Sequence, residues 1–295
     1  MRVILCILII CEVIFAEGNI SNPEYFIKKH SLNLPHITPD MSDISKYSYI
    51  LDIKEYFYLG STSNLDSVIR YVHIKRPIRE YERYLYLGDT AISKIVSIAD
   101  KSDTLNQLIV TTNRLHNTRR YVDLKSQCIH IIQLNEWGKK VFDKTKCSDD
   151  KEFSGQEIEF RKEGNYTIAI PKVNGIVDSS GIRKYYLNTF NNIVAEYSMD
   201  KRGGFRISQL IVYNVNNNPI YQYDLTGFDK WYFVEKFNHY VYDSSGRLKR
   251  DYVYKTADRK KRKKGFQLVS YTEYEYDDLG RKIRMITYGK GDSGL

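Results

Sequence analysis

The residues that could do chemistry in this chain are scattered, and their spacing indicates no catalytic arrangement. Gly291-Asp292-Ser293-Gly294 has the order of a serine-nucleophile motif, but such a serine needs a histidine base, an oriented carboxylate and further chain to build the substrate pocket. No two histidines are spaced i, i+4, and none has metal-ligand spacing to a cysteine or a carboxylate. The histidines are His30, His36, His73, His116, His130 and His239. We therefore predict no enzyme activity, no cofactor and no metal site.

Cys128 and Cys147 are the cysteines that lie outside the first 16 residues. Their even number, in a chain with features of an export signal, permits a disulfide bond. They lie on the two sides of a turn that ends at Gly138, but the simplest hairpin register places Cys128 opposite Lys146, one residue out of line. Bonding then requires a bulge or a longer loop. The sequence predicts a structural disulfide, and two free buried thiols are the alternative.

Six consecutive cations form a basic run near the C-terminus. The run consists of Arg259, Lys260, Lys261, Arg262, Lys263 and Lys264. Runs of like charge are commonly solvated loops without a binding role, which is the plain interpretation. If the run binds, its partner should be an anionic polymer or a membrane surface, and the binding should weaken with salt. A nucleic-acid partner is not expected, because nuclear import conflicts with export.

Residues 1–16 have the features of a secretory signal peptide: a basic Arg2, an apolar run, and the small Ala16 at a plausible cleavage point. The apolar run is short for a membrane span, and an uncleaved anchor is the alternative. Residues 17–45 contain three prolines between polar residues. They are predicted to form an extended arm that is poorly ordered or lies along the folded domain.

The elements that must position all these residues are hairpins, and Tyr274–Ile283 shows the pattern best. Tyrosines alternate with polar residues before the turn, as in a strand with one buried face. Asp277 can start a turn by accepting backbone N–H groups, and Gly280 can adopt the left-handed conformation of a three-residue loop with a G1 bulge. The same arrangement occurs at Tyr242–Leu248, with Gly246 in the glycine position.

Weaker copies of this turn recur upstream, and some of them have Asn in place of Gly. Asn is the non-glycine residue best suited to the left-handed region. The turn positions fall near residues 64, 90, 113, 138, 164, 191, 217, 246 and 280. The intervals of about 23–34 residues are typical of a repeat architecture in which each unit stacks on its neighbour.

The segments 240–254 and 274–288 resemble the tyrosine–aspartate (YD) repeat of RHS-type and teneurin-type proteins, whose pattern is Tyr-x-Tyr-Asp-x-x-Gly-Arg. The resemblance implies a long β-sheet, which in large members winds into a hollow shell around a toxin or other cargo, and it suggests a bacterial source. The match is specific in these two units, and elsewhere only the spacing of the turns is similar. The chain is too short for a complete shell and lacks the family's self-cleavage signature, so the resemblance implies the sheet rather than the delivery function.

Composition agrees with a β protein. The chain has 26 Tyr against 12 Phe and 2 Trp, which favours a large, half-solvated β surface. Residues 247–290 contain 14 Lys and Arg against 6 Asp and Glu, so this segment carries nearly all of the net charge of +9. The tyrosine-rich face and the basic run are therefore the predicted contact surfaces.

We predict that residues 46–295 form one all-β domain, an antiparallel meander of about 16–20 strands in an elongated or partly wound sheet. The predicted function is that of an exported, non-catalytic β-repeat protein with a structural or binding role at the cell envelope. It would be secreted, periplasmic or on the cell surface, and a glycan or a protein could be its partner. The alternatives are a fragment or relative of an RHS-type toxin shell, and a glycan-acting enzyme, which needs two carboxylates about 5–10 Å apart in a cleft.

Overall fold

The structure, a computed structural model, describes residues 22–37, 44, 47, 49–72, 78–87, 90–98, 107–113, 118–123, 127–228, 231–256 and 265–290. The described helix α1 spans Pro23–Lys29. The strands are β1 (Tyr49–Tyr58), β2 (Leu65–Val72), β3 (Ile78–Leu87), β4 (Thr90–Ile98), β5 (Gln107–Asn113), β6 (Thr118–Asp123), β7 (Cys128–Leu134), β8 (Lys140–Lys146), β9 (Ser154–Glu163), β10 (Tyr166–Val173), β11 (Ile176–Val177), β12 (Arg183–Leu187), β13 (Ile193–Met199), β14 (Phe205–Tyr213), β15 (Pro219–Phe228), β16 (Trp231–Tyr242), β17 (Leu248–Thr256), β18 (Phe266–Tyr276) and β19 (Lys282–Gly289).

Neighbouring strands along the chain pair antiparallel, as in β1 to β9, β12 to β15 and β17 to β19. The short β11 pairs with the end of β10, and β10 also pairs with β12. The first strand, β1, pairs with β2 on one side and with the last strand, β19, on the other. The predicted all-β antiparallel meander of hairpins is confirmed, whereas the pairing of β1 with β19 has no counterpart in the sequence pattern.

Burial alternates along the strands with the two-residue period of a pleated sheet, as β10 shows. In β10 the residues Thr167, Ala169 and Pro171 are buried and their neighbours are less so. Pro171 cannot donate a hydrogen bond, but its carbonyl oxygen accepts one from the backbone N–H of Asp178, 2.8 Å away. The side of the strand that faces the interior is therefore set by the two-residue repeat.

Two compact units can be distinguished where the sequence predicts one repeat domain. The first contains the described residues within Met1–His36, Phe160–Ile170 and Ser179–Phe237. Its interior is formed by large, fully buried side chains from the strands and from α1. They are Phe26, Val194, Ile207, Leu210, Tyr223 and Phe237.

The N-terminal arm packs on the strands of this first unit. Asn22 caps α1 with its side chain, and Pro23 occupies the start of the helix, where its missing N–H has no cost. Phe26 is fully buried, and its ring lies 5.1 Å from that of Tyr186. The backbone carbonyl of Pro35 then accepts a hydrogen bond from Tyr223, 3.1 Å away. The prediction of an extended arm is therefore wrong for Pro23–Lys29, which is helical.

The second unit contains the described residues within Ile37–Glu159, Pro171–Asp178 and Asn238–Leu295. Aromatic rings stack across its strands, where Tyr252 pairs with Tyr271 and Tyr271 pairs with Tyr288. The ring centroids of Tyr271 and Tyr288 are 4.7 Å apart. Cross-strand aromatic pairs of this kind stabilise a sheet beyond the area they bury. The tyrosine content of the chain thus contributes to the interior of this unit as well as to its surface.

The predicted disulfide between Cys128 and Cys147 is present in the second unit, with a Cα–Cα distance of 4.0 Å. The register shift that the sequence requires is also present. Leu134 lies opposite Lys140, but Gln133 lies opposite Phe142, so Val141 is an additional residue in β8. This bulge moves the pairing by one residue, so that Ile129 faces Lys146 and the cysteines follow directly opposite each other.

Candidate functional site: the asparagine rim of the first unit

Six turns of the described chain share one hydrogen-bond pattern. In each, the side-chain oxygen of the first residue accepts hydrogen bonds from the backbone N–H groups of the third and fifth residues. The backbone N–H of the fourth residue donates to the first carbonyl. The turns begin at Asn135, Asn188, Asp200, Asn214, Asp243 and Asp277. A short Asn or Asp at the first position therefore determines the turn.

The fourth residue of these turns adopts the left-handed conformation. The predicted turn glycines Gly138, Gly246 and Gly280 have φ of 72°, 76° and 75°. Asn191 and Asn217 occupy the same position with φ of 61° and 60°, which confirms the prediction that Asn replaces Gly there. The replacement has a chemical consequence, because Asn keeps the backbone conformation and adds a carboxamide where Gly has no side chain.

Two adjacent turns of the first unit are of this asparagine type. They are Asn188–Asn192 and Asn214–Asn218, and the Nδ2 of Asn188 donates a hydrogen bond to the Oδ1 of Asn217, 2.8 Å away. Together with the β9–β10 turn at Gly164 and Asn165 they form an uncharged edge of the unit, which we call the asparagine rim. Two large apolar side chains on it are exposed: Phe190 is 68% exposed and Val215 is 99% exposed.

A cavity of about 240 Å³ opens between the β9–β10 turn and the Asn188–Asn192 turn. It is lined by Lys162, Gly164, Asn165, Tyr166, Thr167, Leu187, Asn188 and Asn191. Most of these residues present polar groups, with one cation and no carboxylate among them. The lining therefore offers hydrogen-bond donors and acceptors in a site with little charge.

Some polar side chains of the cavity are already hydrogen-bonded to other protein groups, and others are open to a ligand. The side chain of Asn188 is fully used, because its Oδ1 accepts from the N–H groups of Phe190 and Asn192 and its Nδ2 donates to Asn217. The carboxamides of Asn165 and Asn191 make no hydrogen bond within the part of the chain that the structure describes. Each can donate two hydrogen bonds and accept two from a ligand.

Tyr166 forms an aromatic wall of the cavity and is held in place from several directions. Its hydroxyl donates a hydrogen bond to Oε2 of Glu163, 2.9 Å away, and this bond raises the pKa of Tyr166. The Nζ of Lys184 lies 4.5 Å from the centroid of the Tyr166 ring. The ring also contacts Tyr186, with centroids 5.6 Å apart. These three contacts fix the position of the Tyr166 ring in the wall.

The support for this wall comes from helix α1. Tyr186 lies between Tyr166 and the buried Phe26, and it also contacts Tyr197 at 5.4 Å between centroids. The hydroxyl of Tyr197 shares a 2.7 Å hydrogen bond with Nε2 of His30. Burial lowers the pKa of His30 and raises that of Tyr197, so both groups are neutral at pH 7. The N-terminal arm thus stabilises the aromatic layer under the cavity.

Several sites predicted from the sequence lie elsewhere. The basic run Arg259–Lys264 and the Ser293 motif are outside the described residues. Cys128, Cys147 and the three turn glycines have structural roles. Among the described residues, no group of three or more His, Cys, Asp and Glu side chains could hold a metal ion.

Sequence reasoning missed a contact between His130 and Asp143 in the second unit. The Nε2 of His130 is hydrogen-bonded to Oδ1 of Asp143, and Nζ of Lys140 lies 2.5 Å from Oδ2. Burial alone would raise the pKa of Asp143, but the bonds from His130 and Lys140 outweigh it and lower the pKa. The cross-strand register of β7 and β8 could have revealed the pair, since Ile132 faces Asp143 and His130 is its diagonal neighbour.

Comparison with known proteins identifies no family. No protein-family model and no curated protein matches the chain. Among solved structures, a porin-like protein from Bacteroides uniformis is similar over 82% of this chain and 97% of that protein's chain, with 11% identity and a TM-score of 0.22. A TM-score this low carries no argument about fold or function. Of the helices in the described residues, none has the length and apolar character that crossing a membrane requires.

Proposed function

We propose that this chain is an exported, non-catalytic β-repeat protein with a binding role at the cell envelope, and that the asparagine rim is its binding surface. The observation that carries the proposal is the contrast between engaged and open polar groups. The first residues of the six turns, including Asn188 and Asn214 of the rim, are all bonded to backbone N–H groups. The rim additionally presents two carboxamides beside the cavity, those of Asn165 and Asn191, that make no hydrogen bond within the described residues.

Rigid turns favour binding because little conformational freedom is lost when a ligand is held. The Asn188 turn is closed by two side-chain and two backbone hydrogen bonds and is tied to the Asn214 turn. The exposed Phe190 belongs to this turn, and an exposed aromatic residue is a common anchor of a binding surface. The rim therefore combines a fixed backbone, neutral polar groups and an apolar contact.

Export is supported by the signal-peptide features of residues 1–16 and by the Cys128–Cys147 disulfide, because disulfides persist mainly in oxidising compartments. The test is to determine the N-terminus of the protein from its native cells and to label intact and permeabilised cells with an antibody. We expect a mature N-terminus near Glu17 and location outside the cytoplasm. A cytoplasmic protein with free Cys128 and Cys147 thiols would overturn the proposal.

A further inference from the structure

We propose that the cavity of the asparagine rim binds one uncharged pyranose ring, such as the terminal sugar of a glycan. This inference rests on the proposed binding role and names its ligand class. Sugars present several hydroxyl groups that both donate and accept hydrogen bonds, together with apolar C–H faces. The ligand class is argued from three features of the cavity: its size, its polar groups and its aromatic neighbours.

The size of the cavity restricts the ligand. Its volume of about 240 Å³ is below the range of about 300–1,000 Å³ that is usual for drug-sized ligands. One sugar ring or a molecule of similar size fits such a space, while the rest of a glycan chain would remain in solvent. A site of this kind binds the end of a chain rather than its interior.

The polar groups of the cavity match hydroxyls better than charges. The carboxamides of Asn165 and Asn191 are open, and Thr167 contributes a hydroxyl from a residue that is only 6% exposed. Carboxamides donate and accept hydrogen bonds at the same site, as sugar hydroxyls do. Lys162 is the only charged residue of the lining, and it can donate to a hydroxyl as well as to an anion.

Tyr166 and Leu187 supply the apolar part of the lining, and the exposed Phe190 lies next to it in sequence. The Tyr166 ring lies in the wall, and Phe190, 68% exposed, precedes Asn191 in the turn that forms the opposite wall. An aromatic ring offers a flat apolar surface to the C–H face of a sugar, and its two side-chain torsions are inexpensive to immobilise. Burial of such a surface stabilises a complex in proportion to the apolar area covered.

Asn191→Gly is the most informative variant. The Asp243 and Asp277 turns have Gly at the equivalent position. The variant should therefore keep the left-handed backbone and lose the carboxamide. Asn216→Gly is the control, because it removes a carboxamide from the neighbouring turn at an exposed position outside the cavity lining.

The experiment measures binding of the purified, disulfide-bonded protein to the methyl glycosides of glucose, galactose, mannose, N-acetylglucosamine and glucuronic acid by saturation-transfer NMR and titration. We expect at least one neutral glycoside to bind, with affinity reduced about tenfold or more in Asn191→Gly and unchanged in Asn216→Gly. Circular dichroism and thermal unfolding should show that both variants remain folded.

Three results would overturn the inference: no neutral glycoside binds, only the glucuronide binds and does so in a salt-sensitive manner, or Asn191→Gly and Asn216→Gly reduce affinity equally. None of these results contradicts the export and envelope location of the protein, which are tested separately. Release of a sugar from an oligosaccharide by the protein would instead support the glycan-acting enzyme and overturn non-catalytic binding.

Discussion

Two kinds of turn share a backbone but differ in how they are tied to their neighbours. The asparagine turns that begin at Asn188 and Asn214, in the first unit, are joined by a neutral amide bond from Asn188 to Asn217. In the aspartate turns, which occur in both units, the tie is an arginine, such as Arg206 beside Asp200 in the first unit. The guanidinium of Arg281 is bonded to Asp277 at 2.7 Å, and its Nη1 donates to the backbone carbonyl oxygens of Gly60 and Thr62 at 2.8 and 2.6 Å.

The arginine also stacks on a tyrosine of the next hairpin. The guanidinium carbon of Arg281 lies 4.7 Å from the ring centroid of Tyr58, and that of Arg247 lies 5.0 Å from the ring of Tyr276. This geometry gives a physical reason for the Tyr-Asp-x-x-Gly-Arg order: aspartate closes the turn and orients the arginine, which then packs on the neighbouring tyrosine.

A tyrosine hydroxyl makes the same link in both units. Tyr276 precedes one turn and donates to the carbonyl of Leu248, just after the preceding turn. Tyr213 donates in the same way to Ile193, and Tyr58 donates to Lys282. The tyrosine link is therefore common to both kinds of turn, whereas the residues at the fourth and fifth positions of the turn differ. With Gly at the fourth position and Arg at the fifth, the arginine ties the turn to its neighbour. Asn at the fourth position adds a carboxamide, which in Asn217 bonds the adjacent turn and in Asn191 makes no hydrogen bond within the described residues.

The largest expected effect concerns the left-handed position. Gly280→Val should lower the free energy of unfolding by about 1–2 kcal/mol, because a β-branched residue is strained at φ of 75°. Gly280→Asn should cost much less, since Asn191 and Asn217 occupy the equivalent position. Urea unfolding of both variants is the measurement. Equal losses of unfolding free energy in Gly280→Val and Gly280→Asn would show that Asn cannot replace Gly in this turn without strain.

The first position of the turn should have the next largest effect. Asn214→Ala removes the oxygen that accepts from the N–H groups of Asn216 and Asn218, and we expect a loss of about 1 kcal/mol in unfolding free energy, as for an N-cap. Asn216→Ala is the control, because Asn216 is exposed and contributes only its backbone N–H. An unchanged urea midpoint in Asn214→Ala would contradict the role assigned to this side chain.

The tyrosine link should be equally strong in the two units. Tyr276→Phe and Tyr213→Phe each remove one hydroxyl that donates to a backbone carbonyl at 2.9 Å, and each should cost about 0.5–1 kcal/mol. The variants are compared by thermal or urea unfolding with Tyr288→Phe as the control. If only Tyr276→Phe is destabilised, the link belongs to the arginine-type turns alone.

The smallest expected effect is on the pH dependence of stability, to which the aspartate turns should contribute and the asparagine turns should not. The backbone N–H and guanidinium of Arg247 lower the pKa of Asp243. For Asp277, burial would raise the pKa, but the bonds from Arg281 outweigh it and lower it. A lowered folded pKa means that this stabilisation is complete above the unfolded value of about 3.9 and is lost as the pH falls through the folded value.

The measurement is the urea midpoint between pH 5 and pH 2 for the parent and for the double variant Asp243→Asn, Asp277→Asn. The double variant should be less stable at pH 5, where it lacks both ion pairs, but should lose less on acidification. An identical loss in both proteins would show that other carboxylates account for the acid sensitivity. The asparagine turns do not titrate, so they contribute nothing to this difference.

The turns could be predicted from the sequence because their causes are local. Asp277 and Gly280 are three residues apart, and the hydrogen bonds that define their turn lie within five residues. The asparagine rim could not be predicted in the same way. Asn165 and Asn191 are 26 residues apart and line one cavity because β10 pairs with β12 across the intervening chain. The His130–Asp143 contact lies within one hairpin, but it depends on the register of β7 and β8, which the bulge at Val141 shifts by one residue.

The sequence by itself determined the class of the fold and the turn chemistry, because two-residue alternation and the conformational preferences of Asn, Asp and Gly act over short distances. It also indicated a disulfide between Cys128 and Cys147, with two free thiols as the alternative. The tertiary structure decided that these cysteines are bonded, that Phe26 is buried by a helical arm and that β1 pairs with β19. These features depend on which strands and side chains meet over long sequence separations, and there packing rather than local propensity chooses among the arrangements.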